Sequence, residues 1–230
     1  TIDNTLFQRR LFIFKIEDKK EKAARIIETL RQAYPGAGTA LKFNNPFELL
    51  VAAILSAQCT DRQVNKITSS LFKKYKTPRD FAELTPEELA REIKGCGLYR
   101  SKSKYIVEAS RKILELHDGQ VPGTREELQA LPGVGRKTAG VVFGIAYGGS
   151  ALPVDTHVYR VARRLGLSRA RHPEKVEEDL VKYLEPHQRM DAHHLLIAHG
   201  RNTCRARKPA CGDCCLKELC PYPEQEGEKS

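Results

Sequence analysis

The sequence lacks a long apolar run. Its longest uncharged stretch, residues 138–154, is broken by several glycines and by Pro153, whereas a membrane-spanning helix needs about 20 consecutive apolar residues. This stretch therefore predicts a buried helix followed by a turn. No secretory signal is recognisable either, because the apolar residues 12–14 are too few and are followed by Lys15 and Glu17. We expect a cytoplasmic, prokaryote-like protein whose cysteines stay reduced.

The sequence is also short of acidic residues. The 230 residues include 29 Asp and Glu against 39 Lys and Arg, which gives a formal charge of +10. A charge of this sign favours a polyanionic partner such as nucleic acid, although a solvated basic surface would have the same composition. Hydrophobic residues make up 40% of the chain, which is enough for a buried core in one large domain or two small ones.

No segment shows a convincing strand pattern. Apolar residues recur at helical spacing, and proline follows Asn45, Thr85 and His172 at the first position of three of the helices. The sequence therefore predicts an all-α protein with short loops and a polar tail after Cys220. We predict helices at residues 18–34, 45–57, 61–75, 86–94, 101–117, 124–131, 136–147, 156–166, 173–184 and 187–200.

The most informative motif is the turn at residues 131–139, LPGVGRKTA, which joins two predicted helices. A capping box at residues 124–127 opens the first helix, and the second begins near Arg136. Gly133 and Gly135 would permit positive φ and close approach to a ligand. The exposed N–H groups of the turn and the positive end of the second helix together predict a pocket for a phosphate.

Lys137 lies in the first turn of that second helix. The helix dipole disfavours a protonated amine there, and a partly neutral amine could attack an electrophilic carbon, but a solvated charge is the alternative. Asp155, at the start of a later helix, could accept the proton of the amine or stabilise positive charge on a sugar. Asp is equally a preferred N-cap residue, so its role stays open.

Five of the seven cysteines fall between residues 204 and 220. In a reducing compartment such a group favours a zinc site or an iron–sulfur cluster over disulfides, and the spacing does not separate the two metals. Cys215 is then extra, while Cys59 and Cys96 are better explained by core packing. The predicted ligands are Cys204, Cys211, Cys214 and Cys220.

The loop between the first two predicted ligands carries Arg205, Arg207 and Lys208. Metal ligation at both ends of this loop would hold the three cations out toward a phosphate backbone. The predicted metal centre is therefore structural rather than catalytic.

Together these motifs resemble those of the endonuclease III type of DNA glycosylase in the helix-hairpin-helix superfamily. The resemblance spans nearly the whole chain and includes residues 56–61, 97–99, 131–139, 154–157, 193–194 and 199–201, followed by the cysteine spacing. It implies two helical domains that flank a DNA-binding cleft. Residues 39–149 would form a six-helix domain with the helix-hairpin-helix motif at about 124–147, and residues 1–38 with 150–230 would form a discontinuous domain with a 4Fe-4S cluster at 204–220.

The resemblance also implies base excision repair. Lys137 matches the catalytic lysine and Asp155 the catalytic aspartate of the family, so the enzyme would flip a damaged nucleotide out of duplex DNA and form a Schiff base with its sugar. β-Elimination would then cut the strand 3′ to the abasic site. The resemblance implies that the substrates are oxidised pyrimidines. It also implies that the protein is a monomer whose partner is damaged double-stranded DNA.

Two further positions match the residues with which the family fills the opened duplex. Gln58 would face the orphaned base and Leu98 would act as an apolar wedge, although a helix-end Gln and a loop Leu are ordinary features. The remaining DNA contacts implied by the resemblance are Gly133, Val134, Gly135, Arg136 and His157, together with Arg205, Arg207 and Lys208.

Some features leave alternatives open. Gly140 stands where members of the family commonly have Asn. A glycine at this position resembles the adenine-removing relatives, but those relatives lack a lysine at the position of Lys137. Tyr99, which is followed by Arg100, Lys102 and Lys104, suits either contact with the DNA backbone or a solvated basic helix face. The histidines are better explained by buried hydrogen bonds than by a second metal site. A noncatalytic DNA-binding or redox-sensing module would use the same hairpin and cysteines.

Overall fold

The computed structural model describes the backbone of residues 2–222 and the side chains of residues 18–222. Of the predicted polar tail after Cys220, Pro221 and Tyr222 are described, whereas residues 223–230 lie outside the described residues, as do the side chains of residues 12–14. Within the described range the protein has eleven α-helices, two short 3-10 helices at Pro186–Gln188 and Lys217–Leu219, and no strand, which confirms the all-α prediction.

The α-helices follow one another with short connections. In chain order they are α1 (Ile2–Ala33), α2 (Pro46–Ser56), α3 (Asp61–Lys74), α4 (Pro78–Ala82), α5 (Pro86–Glu92), α6 (Tyr99–Leu116), α7 (Arg125–Gln129), α8 (Arg136–Tyr147), α9 (Thr156–Arg164), α10 (Pro173–Tyr183) and α11 (Arg189–Asn202).

Two helices differ from the predictions. Helix α1 begins at Ile2 instead of residue 18, and the added segment contains no proline or glycine that would end a helix. Helix α4 was not predicted, because five residues are too few to show a helical period. Its start signal is nevertheless present: the Thr77 side chain accepts a hydrogen bond from the Asp80 amide, and the Asp80 side chain accepts one from the Thr77 amide, with Pro78 at the first position.

The chain divides into two compact units. One is Thr39–Ala151 and holds α2 to α8, so it contains seven helices rather than six because of α4. The other combines Thr1–Gly38 with Leu152–Ser230. The unit Thr39–Ala151 is called the hairpin unit below, and the other is called the cysteine unit.

The hairpin unit is built around α2. Every residue from Phe47 to Leu55 is buried, and all of them except Glu48 are apolar, as expected for a helix at the centre of a core. Helices α3, α6 and α8 pack against it. Burial of a leucine or isoleucine side chain stabilises a protein by about 1.5–3 kcal/mol, so the buried side chains of α2 contribute strongly to the stability of the hairpin unit.

The cysteine unit packs α1 against α10 and α11, and α9 against α10 and α11. Ala23, Ile26, Ile27 and Leu30 form the buried stripe of α1 at the spacing expected for one helix face. None of the helices within residues 2–222 is both long and apolar enough to cross a membrane.

Candidate nucleic-acid interface and metal centre

The predicted hairpin is formed by α7 and α8. Thr124 caps α7 by accepting a hydrogen bond from the Glu127 amide at 3.3 Å. The connecting turn is closed by the Val134 amide, which donates to the Leu131 carbonyl at 3.1 Å. The Val134 side chain is buried, so the turn is anchored to the core while Gly133, Gly135 and Arg136 stay exposed.

The two glycines of this turn have different roles. Gly133 has φ +75°, and a Cβ at this position would lie 2.6 Å from the Tyr105 Cβ, so only glycine fits. Gly135 has φ −82° and ψ 174°, and a Cβ there would meet nothing within 4 Å. The expectation of a positive φ is therefore wrong for Gly135, whose backbone is in an extended conformation that any residue can adopt.

Helix α8 begins without a side-chain cap. Gly135 is its N-cap and provides no side-chain acceptor, and the first turn holds no acidic residue. The first helical residues are instead the exposed Arg136 and Lys137. Both cations lie where the helix dipole disfavours them, and an anion bound at the first amides would relieve that repulsion.

Asp155 is the N-cap of α9. Its Oδ1 accepts hydrogen bonds from the His157 and Val158 amides, both at 2.8 Å. The side chain is half-buried, and no hydrogen bond to Oδ2 occurs among the described residues. One oxygen therefore serves the helix, while the other stays available for chemistry, so capping and catalysis do not exclude each other.

His157 follows directly in the first turn of α9. Burial lowers the pKa of its imidazole, and the nearby cations Arg160 and Arg201 act in the same direction, against the effect of Asp155. Its Nδ1 lies 3.2 Å from Nη2 of Arg160. The ring is therefore neutral near pH 7 and is suited to hydrogen bonding rather than to pairing with a phosphate through charge.

Gln58 and Leu98 lie on two turns of the hairpin unit, and both are exposed. Leu98 leaves 57% of its surface open, although large apolar side chains are normally covered. Both have left-handed backbones, with φ 52° at Gln58 and 58° at Leu98. In the described part of the chain only two other non-glycine residues, Asp118 and Lys208, share this conformation.

The four predicted metal ligands line one small cavity of about 20 Å³ in the cysteine unit. Burial raises the pKa of the Cys214 and Cys220 thiols, so a bound cation is needed to hold them as thiolates near pH 7. Cys215 is exposed and does not line the cavity. Among the described side chains, no three His, Cys, Asp or Glu residues are grouped closely enough to bind one metal ion.

The loop between Cys204 and Cys211 is held by an arginine from α9. Nη1 of Arg164 donates to the Arg205 carbonyl at 2.7 Å, and Nη2 donates to the Ala206 carbonyl at 3.2 Å. The guanidinium also lies 4.2 Å from the centroid of the Tyr222 ring. With its backbone held in this way, the loop exposes Arg205, Arg207 and Lys208.

The comparisons with known proteins agree on one family. A family model described as the HhH-GPD superfamily of base excision DNA repair proteins matches residues 51–186. Endonuclease III of Haemophilus influenzae is 46% identical over 206 residues, which are 90% of this chain and 98% of that protein. Endonuclease III of Escherichia coli K12 is 47% identical with the same coverage. The chain belongs to the endonuclease III family.

Solved structures give the same result. A non-covalent endonuclease III–DNA complex matches with a TM-score of 0.86 and 41% identity over 91% of this chain and 98% of that chain. A trapped endonuclease III–DNA covalent intermediate matches with a TM-score of 0.86 and 42% identity over 90% and 98%. The helix-hairpin-helix fold implied by the sequence motifs is therefore confirmed as that of endonuclease III.

Neither alternative left open for Lys102, phosphate contact or a solvated helix face, fits the structure of this endonuclease III relative. Lys102 cannot contact a phosphate, because it is only 4% exposed, whereas Arg100 and Lys104 on the same helix face solvent. Sequence reasoning also missed Tyr105 against Gly133 and Arg164 against the cysteine loop. These residues act through contacts distant in sequence, so no local pattern indicated them.

The histidines of α11 are held by hydrogen bonds within the cysteine unit. His193 is buried, and its Nδ1 lies 2.6 Å from the Pro153 carbonyl oxygen. Nδ1 of His199 lies 3.1 Å from the Tyr34 hydroxyl, and burial lowers the pKa of this imidazole to about 4. Both rings therefore have structural partners in the endonuclease III fold.

Proposed function

We propose that this protein removes damaged bases from duplex DNA and cleaves the strand 3′ to the resulting abasic site. The observation that carries this proposal is the placement of Lys137, an exposed amine in the first turn of a helix whose positive end has no side-chain cap. The relative trapped as a covalent intermediate with DNA supports a reaction through an enzyme–DNA bond.

The proposed reaction begins with a damaged nucleotide turned out of the duplex. The lone pair of the Lys137 amine forms a bond to C1′ of the sugar, and the bond from C1′ to the base breaks, so the base leaves with that electron pair and takes up a proton. Loss of the amine proton and opening of the sugar ring give the Schiff base. Removal of a C2′ proton then expels the 3′ phosphate, which cuts the strand.

Asp155 would support the first of these steps. Its Oδ1 is used by the amides of α9, and we assign the chemistry to Oδ2. A carboxylate here either accepts the proton of the amine or stabilises the cationic sugar, and both roles need its negative charge.

The DNA contacts follow from the exposed groups of the two units. The amides of the turn at Gly133 and Gly135 and of the start of α8 at Arg136 would bind a phosphate, whereas the Val134 amide already donates to the Leu131 carbonyl, so Val134 only anchors the turn. Gln58 and Leu98 would fill the space left by the flipped nucleotide, and His157 would contact the strand near Asp155. Among the described residues, four non-glycine residues have positive φ. Three of them, Gln58, Leu98 and Lys208, lie at proposed DNA contacts, and such conformations concentrate at functional sites.

The four cysteines that line one cavity are proposed to bind a 4Fe-4S cluster. Four thiolates satisfy such a cluster, and the resemblance of the cysteine spacing to that of endonuclease III supports a cluster over one zinc ion. When bound, the cluster would fix both ends of the loop that carries Arg205, Arg207 and Lys208 toward the phosphate backbone. Reduced thiols are needed for this, so we place the enzyme with DNA in the cytoplasm, acting as a monomer.

Oxidised pyrimidines are the proposed substrates. Gly140 is buried in α8, so any effect that it has on lesion choice must pass through packing rather than direct contact. A panel of duplexes that each carry one damaged base would rank the lesions, and release of oxidised purines instead of pyrimidines would contradict the assignment.

Borohydride reduction during turnover tests the proposed chemistry. Because the reagent reduces a Schiff base to a stable amine, the native enzyme should give a covalent adduct with lesion-bearing duplex DNA, while Lys137→Ala should give none. Lys137→Arg is the matched control, since it keeps the charge and loses the nucleophile. A native protein that binds DNA but gives no adduct and no strand cleavage would instead be a noncatalytic DNA-binding module.

A further inference from the structure

Lys102 on α6 is a buried lysine with three hydrogen-bond partners. Its Nζ lies 2.9 Å from the Leu55 carbonyl oxygen, 2.5 Å from the Ala57 carbonyl oxygen and 3.1 Å from Sγ of Cys96. An ammonium group has three donors, so the set is complete. The two carbonyls belong to the C-terminal end of α2, which has unpaired acceptors and attracts a cation.

These partners lie immediately before the two exposed residues proposed to enter the duplex. Ala57 precedes Gln58, and Cys96 is followed by Gly97 and Leu98. Lys102 therefore connects the turn that carries Gln58 with the turn that carries Leu98. We call these two turns the wedge turns.

Other contacts show that the wedge turns pack against each other. Sγ of Cys96 donates to the Leu55 carbonyl at 3.2 Å, and Nε2 of Gln63 donates to the Gly95 carbonyl at 3.1 Å. A Cβ on Gly97 would lie 3.1 Å from the Gln58 carbonyl oxygen, a distance that only glycine accommodates without movement. Lys102 is the member of this network that carries a buried charge and bonds to both turns.

The backbone of the wedge turns needs such support. The backbones of Gln58 and Leu98 both adopt the left-handed conformation, which costs an ordinary L-residue roughly 1–2 kcal/mol. It persists only where the surrounding structure determines it. Because neither side chain is buried, the support must come from the backbone bonds beneath them.

We propose that Lys102 is a positioning residue that fixes the spacing of Gln58 and Leu98, so that the polar side chain and the apolar wedge enter the duplex together. The role of these two side chains rests on the proposed function. Lys102 itself is covered and acts only through the wedge turns. The loss of its bonds should therefore impair reactions that require an opened duplex and spare those that do not.

The test compares two substrates with the full-length, cluster-loaded enzyme. One is a duplex that carries an oxidised pyrimidine, and the other is a single-stranded oligonucleotide with an abasic site, which needs no duplex filling. For Lys102→Met we expect base release from the duplex to fall roughly tenfold under single-turnover conditions, a change equal to about 1.4 kcal/mol. The rates of Schiff-base trapping and of cleavage of the single strand should change by less than about twofold, which is much smaller than the change expected for the duplex.

Lys66→Met is the matched control. It removes the same charge from an exposed lysine of α3 in the same unit, and it should leave both reactions unchanged. Equal slowing of the two substrates by Lys102→Met, or no slowing of either, would overturn the proposal. Failure of the native enzyme on both substrates would instead overturn the proposed function.

Gly97→Ala provides a second route if Lys102→Met does not fold. Its added Cβ pushes against the Gln58 carbonyl without creating a positive-φ strain. The same split between duplex and single strand is expected, with a melting temperature close to that of the native protein. A folded Gly97→Ala enzyme that handles both substrates at native rates would contradict the coupling of the wedge turns.

Discussion

Gly133 and Tyr105 pack so closely that any side chain on the glycine would collide with the tyrosine ring. A Cβ on Gly133 would lie 2.6 Å from the Tyr105 Cβ and 2.8 Å from its Cγ. The contact links the hairpin turn to α6. It gives the turn a rigid support, and it makes glycine necessary at position 133 but not at position 135.

Gly133→Ala is expected to destabilise the protein by more than about 2 kcal/mol, because the steric clash adds to the roughly 1–2 kcal/mol of left-handed strain. Chemical denaturation measures this loss. Gly135→Ala is the control, since its φ is negative and the space around it is open. As a change at an N-cap it should lower the free energy of unfolding by less than about 1 kcal/mol. Equal losses for the two variants would contradict the different roles assigned to the glycines.

Asp155 can be tested with two substitutions that separate its roles. Asparagine caps helices as well as aspartate does, so Asp155→Asn should change the free energy of unfolding by less than about 0.5 kcal/mol while base release falls at least tenfold. Asp155→Ala should lose activity and also about 1 kcal/mol of stability. Full activity in a stable Asp155→Asn enzyme would restrict the residue to capping.

The cysteine cavity predicts which thiols bind the metal centre. Cys211→Ser should lose the brown visible absorption expected of an iron–sulfur cluster, because one of four ligands is gone. Duplex affinity should fall with it, since the cations of the loop are no longer fixed. Cys215→Ser should keep both properties, because Cys215 lies outside the cavity. A colourless native protein that contains zinc would refute the cluster.

His194 predicts a specific loss of stability in acid. Burial lowers the pKa of its imidazole below the ordinary 6.5, against the opposing effect of Asp191. When the pH falls below the ordinary pKa of 6.5, the unfolded chain binds a proton at His194 more readily than the folded protein does. The free energy of unfolding therefore falls as the pH falls. His194→Gln should therefore show a smaller drop in unfolding free energy between about pH 7 and about pH 5 than the native protein. An unchanged pH dependence would contradict this source of acid sensitivity.

The sequence alone determined the local features of this protein. The helices have start signals such as Asn45-Pro46 and Thr85-Pro86, and the structure has helices that begin at Pro46 and Pro86. The hairpin turn and the start of α8 at Arg136 could be predicted for the same reason, because caps and turns depend on neighbouring residues. The family resemblance rested on such motifs and was confirmed by the comparisons.

Only the tertiary structure decided which residues support the motifs. The sequence of α6 marked Lys102 as one more basic residue, but the fold buries it beneath the wedge turns, 47 positions from the Leu55 carbonyl that it binds. Arg164 likewise meets the cysteine loop 41 positions away. A basic side chain is normally solvated, and only carbonyls brought together by distant segments make its burial favourable. Contacts between distant segments produce no periodic pattern in the sequence. For this reason only the tertiary structure shows that Lys102 and Arg164 support the site.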